Sequence, residues 1–371
     1  MRVRPGLLAL LVLLLNPLAA GAAPGKAVLL FTGDTGGEVS HCGCGQLPAG
    51  GLPRRKTVLS RERAKGEPVL VLDAGNALFK TPESEGEPGA RERAELLLEQ
   101  MDALGTAAMA VGVRDLVLGA DFLKQATRKS KMKVLSANLV DAGGKPLFPA
   151  STVVTVGGVK FGLVGVSPEG PVATQKGAVG RPPVPAAIAE SRRLRTQERV
   201  DVVVVLAAMP YPEAVKLSQE AGNAVDLILQ SHDRRGQGSA QRNDFATLVP
   251  TGERGREIGH LSLSVDGKGP FVDLSETERA QQNLKMLDAN LQQARQSLAA
   301  AKDERTRKSW EETIASFEAR RKALALQVEP GKQGSERTLR LSYIALGGNL
   351  QDDPEVKKRV ERIEPPGSAS H

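Results

Sequence analysis

Two cysteines, Cys42 and Cys44, stand two apart in the run His41-Cys42-Gly43-Cys44, and the chain has no others. A pair this close can staple nothing distant, so it is a local chemical feature rather than a disulfide framework. Three readings of it stay open. Two thiolates with His41 or His232 suit one soft ion, zinc or copper. Alternatively, the pair cycles between a dithiol and a strained small-ring disulfide, whose strain raises its reduction potential. The third reading is an inert, permanently oxidised bridge on a glycine-rich loop. Arg54, Arg55 and Arg114, if they lie close, would lower a thiol pKa and favour the reactive thiolate. If those three converge with Arg234 and Arg235, they would instead form an anion pocket for phosphate or a nucleotide, without a metal. Otherwise they are solvated surface charges.

The elements that must position these residues are strands and helices in alternation from about Ala27 to Asp273, the pattern of a sheet covered by helices. Ala27–Phe31 reads as a first strand, ended by Thr32-Gly33-Asp34-Thr35-Gly36-Gly37. Val69–Leu72 runs into Asp73-Ala74-Gly75. Arg91–Leu104 is a helix with Ala94, Leu97, Leu98, Met101 and Leu104 on one face. Val134–Asn138 is strand-like, and Val153–Val156 with Val159–Val166 forms a hairpin around Gly157-Gly158. Val200–Leu206 is a buried strand followed by a Pro-Tyr-Pro loop and a short helix. Val225–Leu229 is another, leading straight into Gln230-Ser231-His232-Asp233. Ligand sites of such folds lie where strands end, because several loops converge there.

The tail has a different texture. From Glu276 to Val328 it is polar, helix-forming and free of Gly and Pro. Leu284, Leu287, Leu291, Ala294, Leu298 and Ala301 recur at steps of three and four, a heptad seam. Asp303–Ser309 interrupts it, and Trp310, Ile314, Phe317 and Leu324 resume a stripe. The expectation is an antiparallel helical hairpin over 276–330, with one long helix as the alternative. Its seams must be buried against each other, against the body, or against a protein partner or second copy. A strand (Arg340–Leu346) and a short helix opened by Asp353-Pro354-Glu355 follow within 331–364, and 365–371 reads as a disordered tail.

Residues 1–23 read as a cleaved export signal, from Arg2 and Arg4 through the apolar run Leu7–Leu15 to Ala20-Gly21-Ala22. The apolar run is too short to span a bilayer. The expected product is a periplasmic or secreted protein with no membrane span. Net charge falls from +7 to +5 when Arg2 and Arg4 leave. Its basic residues are spread along the chain, whereas a nucleic-acid partner needs a clustered basic face, so none is expected.

The ordered strand ends resemble the calcineurin-like metallophosphoesterases of the secreted 5′-nucleotidase branch, over nearly all of Val28–Asp273 (24–275 as a domain). Where that family carries Thr-Asn-Asp-x-His-Gly, this chain reads Thr32-Gly33-Asp34-Thr35-Gly36-Gly37. Gly50-Gly51-Leu52-Pro53-Arg54-Arg55 stands for its Gly-Gly-x-x-Arg segment, and Leu72-Asp73-Ala74-Gly75-Asn76 for Leu-Asp-Ala-Gly-Asp. Ala108–Asp115 occupies the place of the Gly-Asn-His-Glu loop, and Ser136-Ala137-Asn138 matches a further signature. Leu206–Met209 stands at a Ser-His strand end, Ser231-His232-Asp233-Arg234 at Gly-His-x-His, and Gly255–Gly259 at the closing segment. The Cys-x-Cys loop is similar to that of a Cys-Gly-Cys or selenocysteine-bearing offshoot. The resemblance implies an α/β fold, a four-layer α-β-β-α sandwich, here with a C-terminal helical hairpin insertion.

It also implies a reaction in which two metals about 3.5–4 Å apart clamp a phosphate and activate water. That chemistry needs a bridging carboxylate and a full set of His, Asp and Asn ligands. Here the family's first-loop His is Gly36 and its bridging Asp is Asn76. The Asn-His pair is Val113-Arg114, and further His positions hold Ala208 and Arg234. Asp34, Asn76, His232 and His41 are the metal candidates that remain, enough for one divalent ion such as zinc; a full two-metal site is not expected. Asp115 should lie near the same strand ends. Cys42 and Cys44 are then the candidates for catalytic redox work, and Arg54, Arg55, Arg114 and Arg234 for anion binding of a phosphate-bearing small molecule. Two functions follow: a degenerate fold reused for anion recognition, thiol chemistry or partner docking, or a weakly active hydrolase with an altered metal set. The tail is too short to supply the substrate-specificity domain that such nucleotidases add.

Overall fold

Strands that must be buried on both faces read as continuous apolar runs rather than as alternation, and this chain is built from several. The computed structural model describes residues 25–41, 49–233, 238–328 and 337–366. The expected signal at 1–23, Cys42, Cys44, Arg234, Arg235 and all but the first two residues of the expected tail lie outside them.

The chain begins with β1 (Gly25–Thr32), α1 (Leu52–Ala64), β2 (Val69–Asp73), α2 (Ala90–Ala103) and β3 (Thr106–Ala110). It continues through α3 (Gly119–Ala126), β4 (Lys133–Leu135), β5 (Leu139–Val140), β6 (Ser151–Val156) and β7 (Val159–Val166). Next come β8 (Gly170–Pro171), β9 (Val179–Gly180), α4 (Pro183–Arg193), β10 (Val202–Ala208) and α5 (Tyr211–Glu220). Strands β11 (Leu227–Ser231), β12 (Gln241–Asn243), β13 (Ala246–Pro250), β14 (Glu257–Val265) and β15 (Val272–Asp273) follow. The last elements are α6 (Leu274–Ala300), α7 (Glu304–Val328), β16 (Arg337–Ala345) and α8 (Pro354–Ile363).

The first large sheet runs β15-β16-β14-β1-β2-β3-β4, the second β12-β13-β11-β10-β7-β6, and a small one β5-β9-β8. Period-two alternation divides each central strand between two cores. Leu29, Phe31, Leu70 and Leu72 meet Phe161, Leu163, Val204 and Leu206 between the sheets. The alternate residues of the same strands face helices: Val28, Leu30 and Val71 pack with Val58 and Leu59 of α1. Val203 and Val205 pack with Ala187 of α4 and Leu217 of α5. Leu97 and Met101 of α2, with Val356 and Val360 of α8, join Met109 and Val111. The result is the expected α-β-β-α sandwich.

Gly259 lies opposite Phe31 in the β1–β14 register, and a Cβ there would overlap the Phe31 ring. Gly259→Ala is therefore expected to cost about 1–3 kcal/mol by overpacking. Thermal denaturation checks this; an unchanged midpoint would contradict it.

The helical hairpin forms as expected, with α6 starting two residues earlier, at Leu274, because the Asp273 side chain accepts the Ser275 N–H and caps it. Leu287, Leu291 and Ala294 are buried in its seam. Arg295–Glu318 (2.7 Å) and Arg321–Asp288 (2.6 Å) cross between α6 and α7. The hairpin is inserted between two strands of one sheet, since β16 returns between β14 and β15. Residues of 337–364 thus complete the body: β16 pairs antiparallel with β14 along its whole length, and the Asp353 N–H reaches Pro53 O. Among the described residues no helix is long and apolar enough to cross a membrane.

Candidate functional site

The C-terminal ends of β1, β2, β3, β10 and β11 open on one side of the sandwich, and their loops are laced together by backbone bonds. Asp34 N–H donates to Gly75 O, Gly36 N–H to Asn76 O and Gly37 N–H to Ala77 O. Gly112 supplies a surface without Cβ where the Asn76 amide closes in; any side chain there would overlap it. Ala208, at the end of β10, comes against Gly75.

At the centre Asp34 is almost wholly buried. One carboxylate oxygen, Oδ1, accepts Arg114 Nη2 in a buried ion pair. The other, Oδ2, accepts the backbone N–H of His232 at 2.8 Å. Asn76 stands beside this pair: its Oδ1 accepts the Arg114 N–H (3.3 Å), and its Nδ2 donates to Ser231 Oγ (3.4 Å). Ser231 Oγ in turn donates to Ala74 O. Among the described residues Asp115 is bound to no cation side chain. It accepts four backbone N–H groups, from Gly112, Asn76, Ala77 and Leu78, at 2.7–3.1 Å, and so joins the loop after β3 to the loop after β2.

Backbone strain concentrates here. Asp34 (φ 51°), Asn76 (φ 59°) and His232 (φ 123°) are among six non-glycine residues with positive φ in the described chain. A fourth, Arg254, donates its N–H to Asp34 O. Such conformations cost about 1–3 kcal/mol each and persist where surrounding contacts over-determine them.

Burial governs the titrating groups. Burial pushes the Asp73 carboxyl up, opposed by hydrogen bonds from Thr32 Oγ1 (2.6 Å) and the Gly75 N–H and by the Arg55 charge. Arg55 is drawn below its ordinary value by burial, with the Asp73 carboxylate pulling the other way. Burial also carries Asp115 up to about 6 against the pull of its N–H donors. His232 is lowered by burial, and Asp233 and Asp34 oppose that shift.

The structure brings Asp34, Asn76, Arg114, Asp115 and His232 together. His41 is exposed at the stem of the cysteine loop, beside Gly51. Arg55 reaches Thr35 Oγ1 (3.1 Å), while Arg54 turns to Leu346 O (3.2 Å) and Asp352 (3.4 Å) under the C-terminal segment. Ser231, Thr35 and the Glu38–Arg254 ion pair escaped the sequence reading. Ser231 was legible in principle, as the polar end of an apolar strand. The other two depend on partners far away in sequence. His232 Nδ1 and Thr251 Oγ1 are buried with no partner among the described residues.

A scan against protein-family models found no match. The chain is 28% identical to a 5′-nucleotidase of Diplobatis ommata over 335 residues, which are 80% of this chain and 53% of that protein. In fold it is similar to a 5′-nucleotidase precursor from Thermus thermophilus (TM-score 0.64, 20% identity, 91% of this chain, 58% of that one). A sulfate thiohydrolase from Thermus thermophilus gives the same TM-score of 0.64 at 16% identity, covering 91% and 60%. The chain thus spans little more than half the length of these three proteins.

Proposed function

For a chain that is a relative of the 5′-nucleotidase branch of the calcineurin-like phosphoesterases, we propose a role without efficient phosphoester hydrolysis, after export from the cytoplasm. The observation that carries this reading is the buried Arg114–Asp34 ion pair. Two-metal hydrolysis needs open carboxylate oxygens and a bridging carboxylate. Asp34 has one oxygen on a guanidinium and the other on the His232 N–H, and the bridging position holds the neutral Asn76. The residues present do not fit a metal pair.

The anion-binding reading finds little support in the arginines. Arg54, Arg55 and Arg114 are each turned to an acceptor inside the chain. That leaves thiol chemistry at Cys42 and Cys44, either redox or capture of one soft ion, as the favoured activity. The described residues on either side of the cysteines lie close to Asp34: Leu52 N–H donates to Val39 O, and Arg55 of the same helix reaches Thr35 next to Asp34. The helical hairpin closes its seam on itself, so it adds no support for a protein partner or self-association.

One observation favours a residual hydrolase instead. His232 Nδ1, buried beside Asp34 without a partner among the described residues, is a donor atom that a single cation would satisfy. Metal content of the exported protein, purified without chelators or a histidine tag, separates the two readings when paired with turnover of a nucleoside monophosphate. The expected result is no metal held by Asp34 and no metal-dependent turnover. About two equivalents of a divalent ion, with turnover abolished by Asp34→Asn, would reverse the assignment.

A further inference from the structure

We propose that Arg114 is the resident cation of this site: its guanidinium ties the strand ends together, the structural role a metal would otherwise fill. The inference rests on the non-hydrolytic reading and says what replaced the metals. A carboxylate this deeply buried is costly unless a counter-charge or several hydrogen bonds compensate it, and Asp34 has both. Asp34 and Arg114 are both nearly inaccessible to solvent, at 3% and 6% exposure. The counter-charge of Asp34 is therefore built into the chain.

The guanidinium is also held in place from behind. The Arg114 backbone N–H is fixed by Asn76 Oδ1, and the next residue, Asp115, is anchored by four N–H groups. Asp34 passes the link to β11 through the His232 N–H, and Asn76 does so through Ser231 Oγ. Arg114 and its neighbours thus connect the ends of β1, β2, β3 and β11 around one positive charge. Arginine suits this post better than lysine: its planar fork keeps its charge at every working pH and fixes direction as well as sign. A divalent ion arriving at Asp34 would meet that charge at contact range in a low-dielectric setting and be repelled.

The consequence is an exchange rule. Wild-type protein should be indifferent to a hard divalent ion such as manganese, which thiolates bind poorly, and removal of the guanidinium should make it responsive. Thermal denaturation of wild type, Arg114→Ala and Asp34→Asn/Arg114→Ala is the test, each first treated with chelator and then given manganese at about 1 mM. Wild type is expected not to shift. Arg114→Ala should melt about 5 °C or more lower and recover part of that loss with manganese. The double variant should recover stability relative to Arg114→Ala with no response to metal. A variant Arg114→Ala as stable as wild type, or a wild type that metal stabilises as much as the variant, overturns the proposal. Should Arg114→Ala fail to fold, Arg114→Lys serves instead. It keeps the charge and loses the fork, so it should melt at an intermediate temperature without a metal response, and a clear metal response in it overturns the proposal. Metal-dependent turnover by wild type would sink the non-hydrolytic reading yet leave the Arg114–Asp34 coupling measurable. Absent coupling would sink the resident cation and leave that reading standing.

Discussion

Asp226→Ala is expected to lower the unfolding free energy by about 3–5 kcal/mol, the cost of breaking a buried ion pair from one side. Asp226 lies just before β11 and is all but inaccessible. Its Oδ1 accepts Arg337 Nη1 at 2.8 Å; its Oδ2 accepts Arg195 Nη2 and the Val203 N–H. Arg337 belongs to β16 of the first sheet, whereas Val203 lies in β10 of the second, so one carboxylate fastens both sheets. The Arg337 guanidinium stacks on the Phe271 ring at 4.1 Å and donates to Gly269 O at 2.9 Å. Alanine would leave a fully buried guanidinium without its counter-charge. Urea denaturation monitored by circular dichroism measures the loss; a change under about 1 kcal/mol would show that water or a neighbour replaces the carboxylate. Asp226→Leu/Arg337→Met should lose much less than Asp226→Ala, because an apolar pair of similar volume escapes the desolvation cost.

That cluster shows where reading a sequence stops. The strands themselves were legible, because Val202–Ala208 and Ala27–Phe31 are apolar beyond what a one-sided strand requires. The hairpin at Gly157-Gly158 and the α6–α7 seam were legible too, since turn chemistry and heptad spacing are local. A carboxylate in the run Ala224-Val225-Asp226-Leu227-Ile228 was a visible anomaly, yet its partner lies 111 residues away, and nothing local names it. The site divides in the same way. Asp34 and His232 could be placed at strand ends from the strand pattern, and Asn76 and Arg114 from the resemblance to family motifs. That Arg114 turns inward to Asp34 rather than outward to an anion depends on a contact 80 residues apart, set by the packing of two loops. The strand at Arg337–Ala345 shows the same limit: its alternation was plain, but not its place between β14 and β15, which makes the hairpin an insertion in a sheet rather than an appendage to the body.

Asp115→Ala carries the other large expected effect, and it has a signature in pH. Four backbone N–H groups from two loops converge on this carboxylate. Alanine would strand all four in a dry site, at an expected cost of about 3–5 kcal/mol at neutral pH. Burial raises the native carboxyl from 3.8 to about 6, so between those values the native state binds the proton more tightly than the unfolded chain. The contribution of Asp115 is therefore fully present below about pH 4 and declines as pH rises through 6. His232 works in the opposite direction. Its pKa is lowered in the native state, so its contribution is present above 6.5 and is lost as pH falls through its native value. The wild-type profile sums these with Asp73 and the other shifted groups, and only the difference between wild type and Asp115→Ala isolates the carboxyl. That difference should grow by about 2 kcal/mol as pH falls from 7 to about 4.5. Urea melts at both pH values decide it. A difference that shrinks on acidification would mean that the N–H donors outweigh burial, and that Asp115 is held as a carboxylate throughout.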